Sequence, residues 1–149
     1  MGQYFSRHYD HIIIATKKRR PDLSVAIRQG LKDVVAQALQ HRKCSMLAFQ
    51  GTADHIHILI ELHRNKSLSE IIRDIKSLST QWILHQEGAN GEFSWQSGWA
   101  AFSVSHSNLG SVIEFIGKQD DLHQQMSFRD ELMSFLTKHE VPFDKRYIF

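Results

Sequence analysis

The sequence predicts an α+β fold with element order β-α-β-β-α-β, the ferredoxin-like arrangement of one four-stranded antiparallel sheet, followed by two C-terminal helices. Three observations predict it. Apolar runs of strand length alternate with apolar stripes at helical spacing, the two middle runs stand only a short turn apart, and helical periodicity resumes after the fourth run.

From Arg7 to Thr16, the segment His8-Tyr9-Asp10-His11-Ile12-Ile13-Ile14-Ala15 reads as a buried strand, ended by Lys17-Lys18-Arg19-Arg20 and Pro21. A helix capped by Asp22 or Ser24 follows, with Val25, Ile27, Leu31, Val34, Val35, Ala38 and Leu39 at helical spacing up to about His41. Cys44-Ser45-Met46-Leu47-Ala48-Phe49 is the second strand. Gly51-Thr52-Ala53 turns into the third, Asp54 to Glu61, a spacing that suggests a hairpin. Asn65-Lys66-Ser67 opens a second helix to about His85, striped by Leu68, Ile71, Ile72, Ile75, Leu78, Trp82 and Ile83. Gly88 to Gly98 is rich in turn formers, and Trp99 to Ser105 alternates as a fourth strand. Ser107-Asn108 is placed to cap a third helix through about Gln124, and Ser127 a fourth from Phe128 to about His139. No repeat, low-complexity tract or linker interrupts the chain, so residues 1–149 read as a single domain.

With 149 residues, 42% of them hydrophobic and 23% charged, the chain sits within the range of a globular domain with a real core. No apolar stretch approaches the roughly 20 residues of a membrane helix, and the N-terminus lacks a secretory apolar core, so the expected location is cytoplasmic, without a membrane partner. Cys44 is the only cysteine, which excludes an intrachain disulfide and a thiolate zinc knuckle. Any metal site must therefore use histidine, amide, carboxylate or water. A net charge of +2 does not by itself announce a nucleic-acid binder. Its distribution says more: Lys17, Lys18, Arg19 and Arg20 form one basic block, and Arg73 and Lys76 share a helix face. These read either as phosphate contacts or as a solvated turn and helix face.

The third strand carries the most informative residues. Side chains alternate across a strand, so His55 and His57 project to one face while Ile56, Ile58 and Ile60 project to the other. Two neutral imidazoles side by side can chelate a divalent cation. In the third helix Phe115 and Gln119 stand four residues apart and share a face, so a helix laid across the sheet would bring both to the histidine pair. Gln119 offers a neutral oxygen ligand. Such a set leaves the cation its full charge and open positions for a phosphate oxygen.

The whole arrangement resembles the single-tyrosine HUH transposases of the smallest bacterial insertion sequences, with their REP-associated relatives. The resemblance rests on Asp54-His55-Ile56-His57, Ser67 to Ile72, Gly98 to Ser105, Val112-Ile113-Glu114-Phe115-Ile116-Gly117-Lys118-Gln119, Met126 to Glu131, and the ending Phe143-Asp144-Lys145-Arg146-Tyr147. It implies a metal site of His55, His57 and Gln119 holding Mg2+ or Mn2+. It also implies a DNA transposase that cleaves and rejoins single-stranded DNA with hairpin ends through a 5′-phosphotyrosine intermediate. The resemblance further implies a homodimer in which the nucleophile helix can serve the partner subunit's histidine pair; Gly110 and Gly117 read equally as hinges that let that helix move or as ordinary capping and packing residues. Lys17, Lys18, Arg19, Arg20, Arg73 and Lys76 are the expected DNA contacts.

The chain departs from the family pattern at the nucleophile, where Phe115 stands in the place of the tyrosine. A phenyl ring has no hydroxyl, so strand cleavage is expected to be absent. Phe115 reads either as a deliberate inactivating substitution or as the mark of an inactive descendant. Tyr4, Tyr9 and Tyr147 read as packing or surface residues, and His123, a further turn along the third helix, reads either as approaching the metal or DNA or, preferred, as solvent-facing. The alternative function is a domesticated, non-enzymatic protein that binds hairpin-bearing single-stranded DNA.

Overall fold

The computed structural model describes residues 2–148. Strands β1 (Tyr9–Ala15), β2 (Ser45–Gly51), β3 (His55–Glu61) and β4 (Ala100–Val104) form one sheet in the order β2-β3-β1-β4, with every neighbouring pair antiparallel. Helices α1 (Val25–His41) and α2 (Leu68–Leu84) complete the β-α-β-β-α-β order, and α3 (Leu109–Gly117), α4 (Gln119–Leu122) and α5 (Phe128–Lys138) follow β4. The predicted α+β class and its topology are both observed.

Helix starts follow their capping residues. Ser24 accepts from the Ile27 N–H to open α1, whereas Asp22, the other candidate, accepts from the Asn90 amide. Ser67 and Glu70 form a reciprocal capping box at α2, satisfying two N–H groups that the first helical turn leaves without partners. Ser127 caps α5 by accepting from Asp130.

The sheet is apolar on both faces because both are covered. Ile12, Ile14, Ile56, Ile58 and Ile60 pack under Leu31, Val35, Leu39, Ile71, Ile72 and Ile75 of α1 and α2. The opposite face presents Ile13, Ala15, Ala100 and Phe102, covered by Phe128 and Leu132 of α5. The helices added after β4 therefore close the face that carries His55 and His57. That burial is what turns two strand histidines into a site.

Several expectations are corrected. The third helix was expected to run unbroken to about Gln124, but it stops at Gly117, where the Lys118 N–H bonds back to the Phe115 carbonyl and Lys118 adopts φ −104°, ψ 19°. Glycine weakens the helix there, and the break frees Gln119 to start a separate short helix with its side chain wholly buried. Asn108 makes no side-chain cap, and the Ser107 hydroxyl bonds Ser105 instead. Gly51 belongs to β2, and the turn is closed by Thr52 N–H to His55 O. Strand β2 carries a bulge between Met46 and Ala48, the extra residue being Leu47. Val25 and Leu78, expected in the core stripes, are exposed. The glycine-rich segment before β4 is partly ordered against the sheet, with Trp95 bridged to Thr16.

Candidate metal centre

The pleat of β3 sends His55 and His57 to the face beneath α4 and α5, and both rings are buried. Each is held by its Nδ1 atom. His55 Nδ1 lies 2.7 Å from Asp54 Oδ1 and 2.8 Å from Thr52 Oγ1. His57 Nδ1 lies 2.7 Å from Nε2 of His11, which reaches it diagonally from β1, because His57 pairs with Ile13 two residues along that strand. Both Nε2 atoms are thereby turned toward the same space under the C-terminal helices.

Two side chains from those helices meet them. Gln119 Oε1 is 3.2 Å from His55 Nε2, and Glu131 Oε1 is 2.8 Å from His57 Nε2. Glu131 lies one turn after Phe128 on the inward face of α5, which is why a carboxylate arrives at the sheet. Its other oxygen accepts from the Gln119 amide at 3.1 Å, and His123 Nε2 stands 3.0 Å from both Gln119 Oε1 and that oxygen. Ligand atoms of His55, His57 and Glu131 all lie within 4.8 Å of one another.

Proton placement tests whether this set suits a cation. An ionised carboxylate only accepts, so Asp54 draws the proton of a neutral His55 ring to Nδ1 and leaves Nε2 bare. Glu131 likewise fixes Gln119 with its amide nitrogen toward the carboxylate and its oxygen toward His55. Two lone pairs then face each other across 3.2 Å, with a carboxylate alongside. Such a donor set fits a divalent cation.

Electrostatics agree. Burial drives the His57 ring toward its neutral form, outweighing the hydrogen bond that the ring donates to Glu131. Burial also lowers His11 to about 3, with His57 adding to the effect. At Asp54 burial pulls upward, but the His55 N–H and then Arg19 outweigh it and hold the carboxyl at about 2. For Glu131 burial again opposes ionisation, and the His57 hydrogen bond overcomes it, so its carboxyl lies below the usual range.

The sequence-named residues are thus partly gathered. His55, His57 and Gln119 converge, and the half-buried Phe115 ring stands 5.9 Å from that of His57 and 6.2 Å from that of His11, centroid to centroid. His123, expected to face solvent, is largely covered by its contacts with Gln119 and Glu131. The sequence reading missed Glu131 and His11. Each left a signal: a carboxylate on the apolar face of α5, and a histidine among the inward residues of β1.

The basic residues divide into two groups. Arg19 is committed inside the chain, with its Nε on Asp54 and its guanidinium 4.3 Å above the Phe128 ring. Lys76 donates to the carbonyls of Gln96 and Gly98 and so anchors the segment before β4. Among the described residues, the side chains of Lys17, Lys18, Arg20 and Arg73 make no hydrogen bond or ion pair. The basic turn is joined to that same segment through Lys17 N–H to Ser94 O and Lys18 N–H to the Gln96 side chain, so one loop links it to the Arg73 helix.

A model of the family described as "Transposase IS200 like" matches residues 4–119. The chain belongs to the IS200-like transposase family. The transposase for insertion sequence element IS200 of Salmonella typhimurium is 26% identical to it over 126 residues, covering 78% of this chain and 82% of the relative. The ISDra2 transposase TnpA of Deinococcus radiodurans is 20% identical, covering 80% and 89% respectively. The fold recurs in a Deinococcus radiodurans crystal structure, at TM-score 0.62 and 21% identity over 80% of this chain and 96% of that one. It recurs again in a REP-associated tyrosine transposase bound to a REP hairpin, at TM-score 0.63 and 16% identity over 85% and 74%. In this IS200-like chain the matched segment ends at Gln119, so Glu131 lies beyond it.

Proposed function

We propose that this IS200-like transposase binds single-stranded DNA with hairpin ends at a divalent-cation centre and, as it stands, does not cut it. The observation that carries the reading is Phe115, whose ring lies beside the His57 ring without a hydroxyl to offer. His55, His57 and Gln119 would hold Mg2+ or Mn2+, with Glu131 as a further oxygen donor. The cation supplies positive charge beside a phosphate oxygen, where negative charge grows during transfer.

With a tyrosine at position 115, the phenolic oxygen would form a bond to phosphorus while the bond to the 3′-oxygen breaks. The product would be a 5′-phosphotyrosine link and a free 3′-hydroxyl. No other tyrosine is placed to substitute. The hydroxyl of Tyr9 is engaged by Arg7 and His106, and Tyr9 sits four residues along β1 from the partner of His57, roughly 13 Å away at strand rise. Tyr4 and Tyr147 are exposed, 74% and 78%, outside the sheet.

Of the expected DNA contacts, Lys17, Lys18, Arg20 and Arg73 keep side chains available for DNA phosphates, and the hairpin held by the REP-associated neighbour supports a hairpin partner. A homodimer sharing its nucleophile helices, and a cytoplasmic location, belong to the same reading. Among the described residues no helix is long and apolar enough to cross a membrane.

The test is Phe115→Tyr with Mn2+ and hairpin-bearing oligonucleotides taken from the DNA flanking the gene. The expected result is binding by both proteins and a covalent protein–DNA band on a denaturing gel for the variant only. Binding without an adduct by Phe115→Tyr would discard the strand-transferase reading and leave a non-enzymatic hairpin binder. Failure of the unaltered chain to bind any such DNA would discard both.

A further inference from the structure

Helix α5 turns two sides inward. Phe128 and Leu132 cover the sheet, while Glu131, Ser134, Phe135 and Lys138, spaced as one side of a helix, line an opening toward α3. Apolar residues at 134 and 138 would have let the two helices close on each other. Serine and lysine there leave a cavity of about 370 Å³, and on the α3 side Ser111 is equally small and exposed.

The walls of the cavity are aromatic. Phe135 is stacked on Phe102 with the ring centroids 5.3 Å apart, and Phe115 stands nearly perpendicular to Phe135, at 5.3 Å and 79°. Both wall rings are half-buried, and Val112 and Leu122 add to the apolar lining. A flat heteroaromatic ring stacked on either phenyl group meets the other edge-on, and aromatic rings favour both arrangements.

The rim is polar. Among the described residues the side chains of Ser111, Ser134 and Lys138 make no hydrogen bond or ion pair, and Lys138 is exposed in the last turn of α5. The inner end reaches His11 and Glu131, and Phe115 lies 5.9 Å from the His57 ring, so an occupant would sit beside the candidate centre. Such an occupant is planar and aromatic within, hydrogen-bonding at its edge and anionic at the mouth. That is the chemistry of one nucleotide of a DNA strand. An aliphatic ligand would use neither the hydroxyls nor the lysine.

Resting on the DNA-binding reading above, we propose that this cavity takes one unpaired base of the bound strand, stacked against Phe115 and Phe135. Lys138 meets the phosphate of that nucleotide, and Ser111 and Ser134 meet the edge of the base. A phenyl group at position 115 supplies this contact without needing a hydroxyl.

The experiment uses the full chain and hairpin-bearing oligonucleotides taken from the DNA flanking the gene, with an abasic residue placed in turn at each position of the single-stranded arms. Binding is measured for the unaltered protein, for the pair Ser111→Leu with Ser134→Leu, which narrows the cavity from both helices, and for Lys138→Ala. Melting temperatures check folding. In the unaltered protein one abasic position is expected to weaken binding about 10-fold and the others little. The leucine pair is expected to bind the intact strand about 10-fold more weakly and to lose nothing further at that position. Lys138→Ala is expected to reduce the slope of log affinity against log salt by about 0.7. Penalties spread evenly along the arms, a position-specific penalty that survives in the leucine pair, or an unchanged salt slope overturns the proposal while leaving hairpin binding standing. So does a leucine pair that binds DNA normally but changes oligomeric state in light scattering, which would make the opening an interface between copies of this chain. No binding of such DNA by the unaltered protein overturns the DNA reading and the proposal together.

Discussion

Glu131 shows how one side chain can complete a site that its neighbours only begin. It accepts from His57, Gln119 and His123 while almost wholly buried, so its removal strands several donors at once. A buried donor left without an acceptor costs about 1–3 kcal/mol. Glu131→Ala is therefore expected to lower the cation-free unfolding free energy by about 2 kcal/mol, read from urea denaturation, and to weaken Mn2+ uptake. Unchanged values for both would mean that Gln119 and the two rings do not depend on it. Asp54 acts on the outer side of His55: it holds the ring at Nδ1 and is itself held by Arg19. Loss of such a partner typically costs 10- to 100-fold in metal affinity, and Asp54→Ala is expected to show a decrease of about that size by calorimetry.

Among the elements, α1 and α2 approach closely because one of them gives way. Gly30 of α1 faces the Trp82 ring of α2, and a Cβ on residue 30 would collide with Trp82 Cη2 and Cζ2. Alanine favours helices over glycine by about 1 kcal/mol, yet overpacking costs about 1–3 kcal/mol, so Gly30→Ala is expected to destabilise the protein. A rise in its melting temperature would show that the indole moves aside freely. The capping box at α2 gives a second measure: Ser67→Ala is expected to cost about 1 kcal/mol with no change in Mn2+ affinity. The break after Gly117 belongs to this scale too. It separates Phe115 from Gln119 in helical terms, and the two still arrive beside the same histidines because α3 crosses β2 and β3 while α4 begins with Gln119.

For the molecule as a whole, the buried imidazoles set the acid limit of stability. His11 titrates at about 3 in the fold against an ordinary 6.5, so the unfolded chain takes up that proton first as pH falls. Its contribution is complete above pH 6.5 and is lost on descent toward 3, at a slope of about 1.4 kcal/mol per pH unit. His57 is displaced in the same direction, and Asp54 adds a loss between its ordinary 3.8 and about 2. The protein without added cation is therefore expected to lose stability steadily from about pH 6.5 to pH 4, and a flat denaturation midpoint over that range would contradict neutral burial of the two rings.

The sequence alone determined the β-α-β-β-α-β order, the shared sheet face of His55 and His57, and the cap residue Ser127, while it left the start of α1 between Asp22 and Ser24, because periodicity and capping are local properties of a chain. Tertiary structure decided that the second sheet face is closed by α5 and that Glu131 and His11 join the centre. It also committed Arg19 and Lys76 to partners within the chain. Those facts depend on contacts between residues 20 to 74 positions apart, or on packing of one face over another, and no window of sequence records which distant side chain will fill a buried donor's vacant partner.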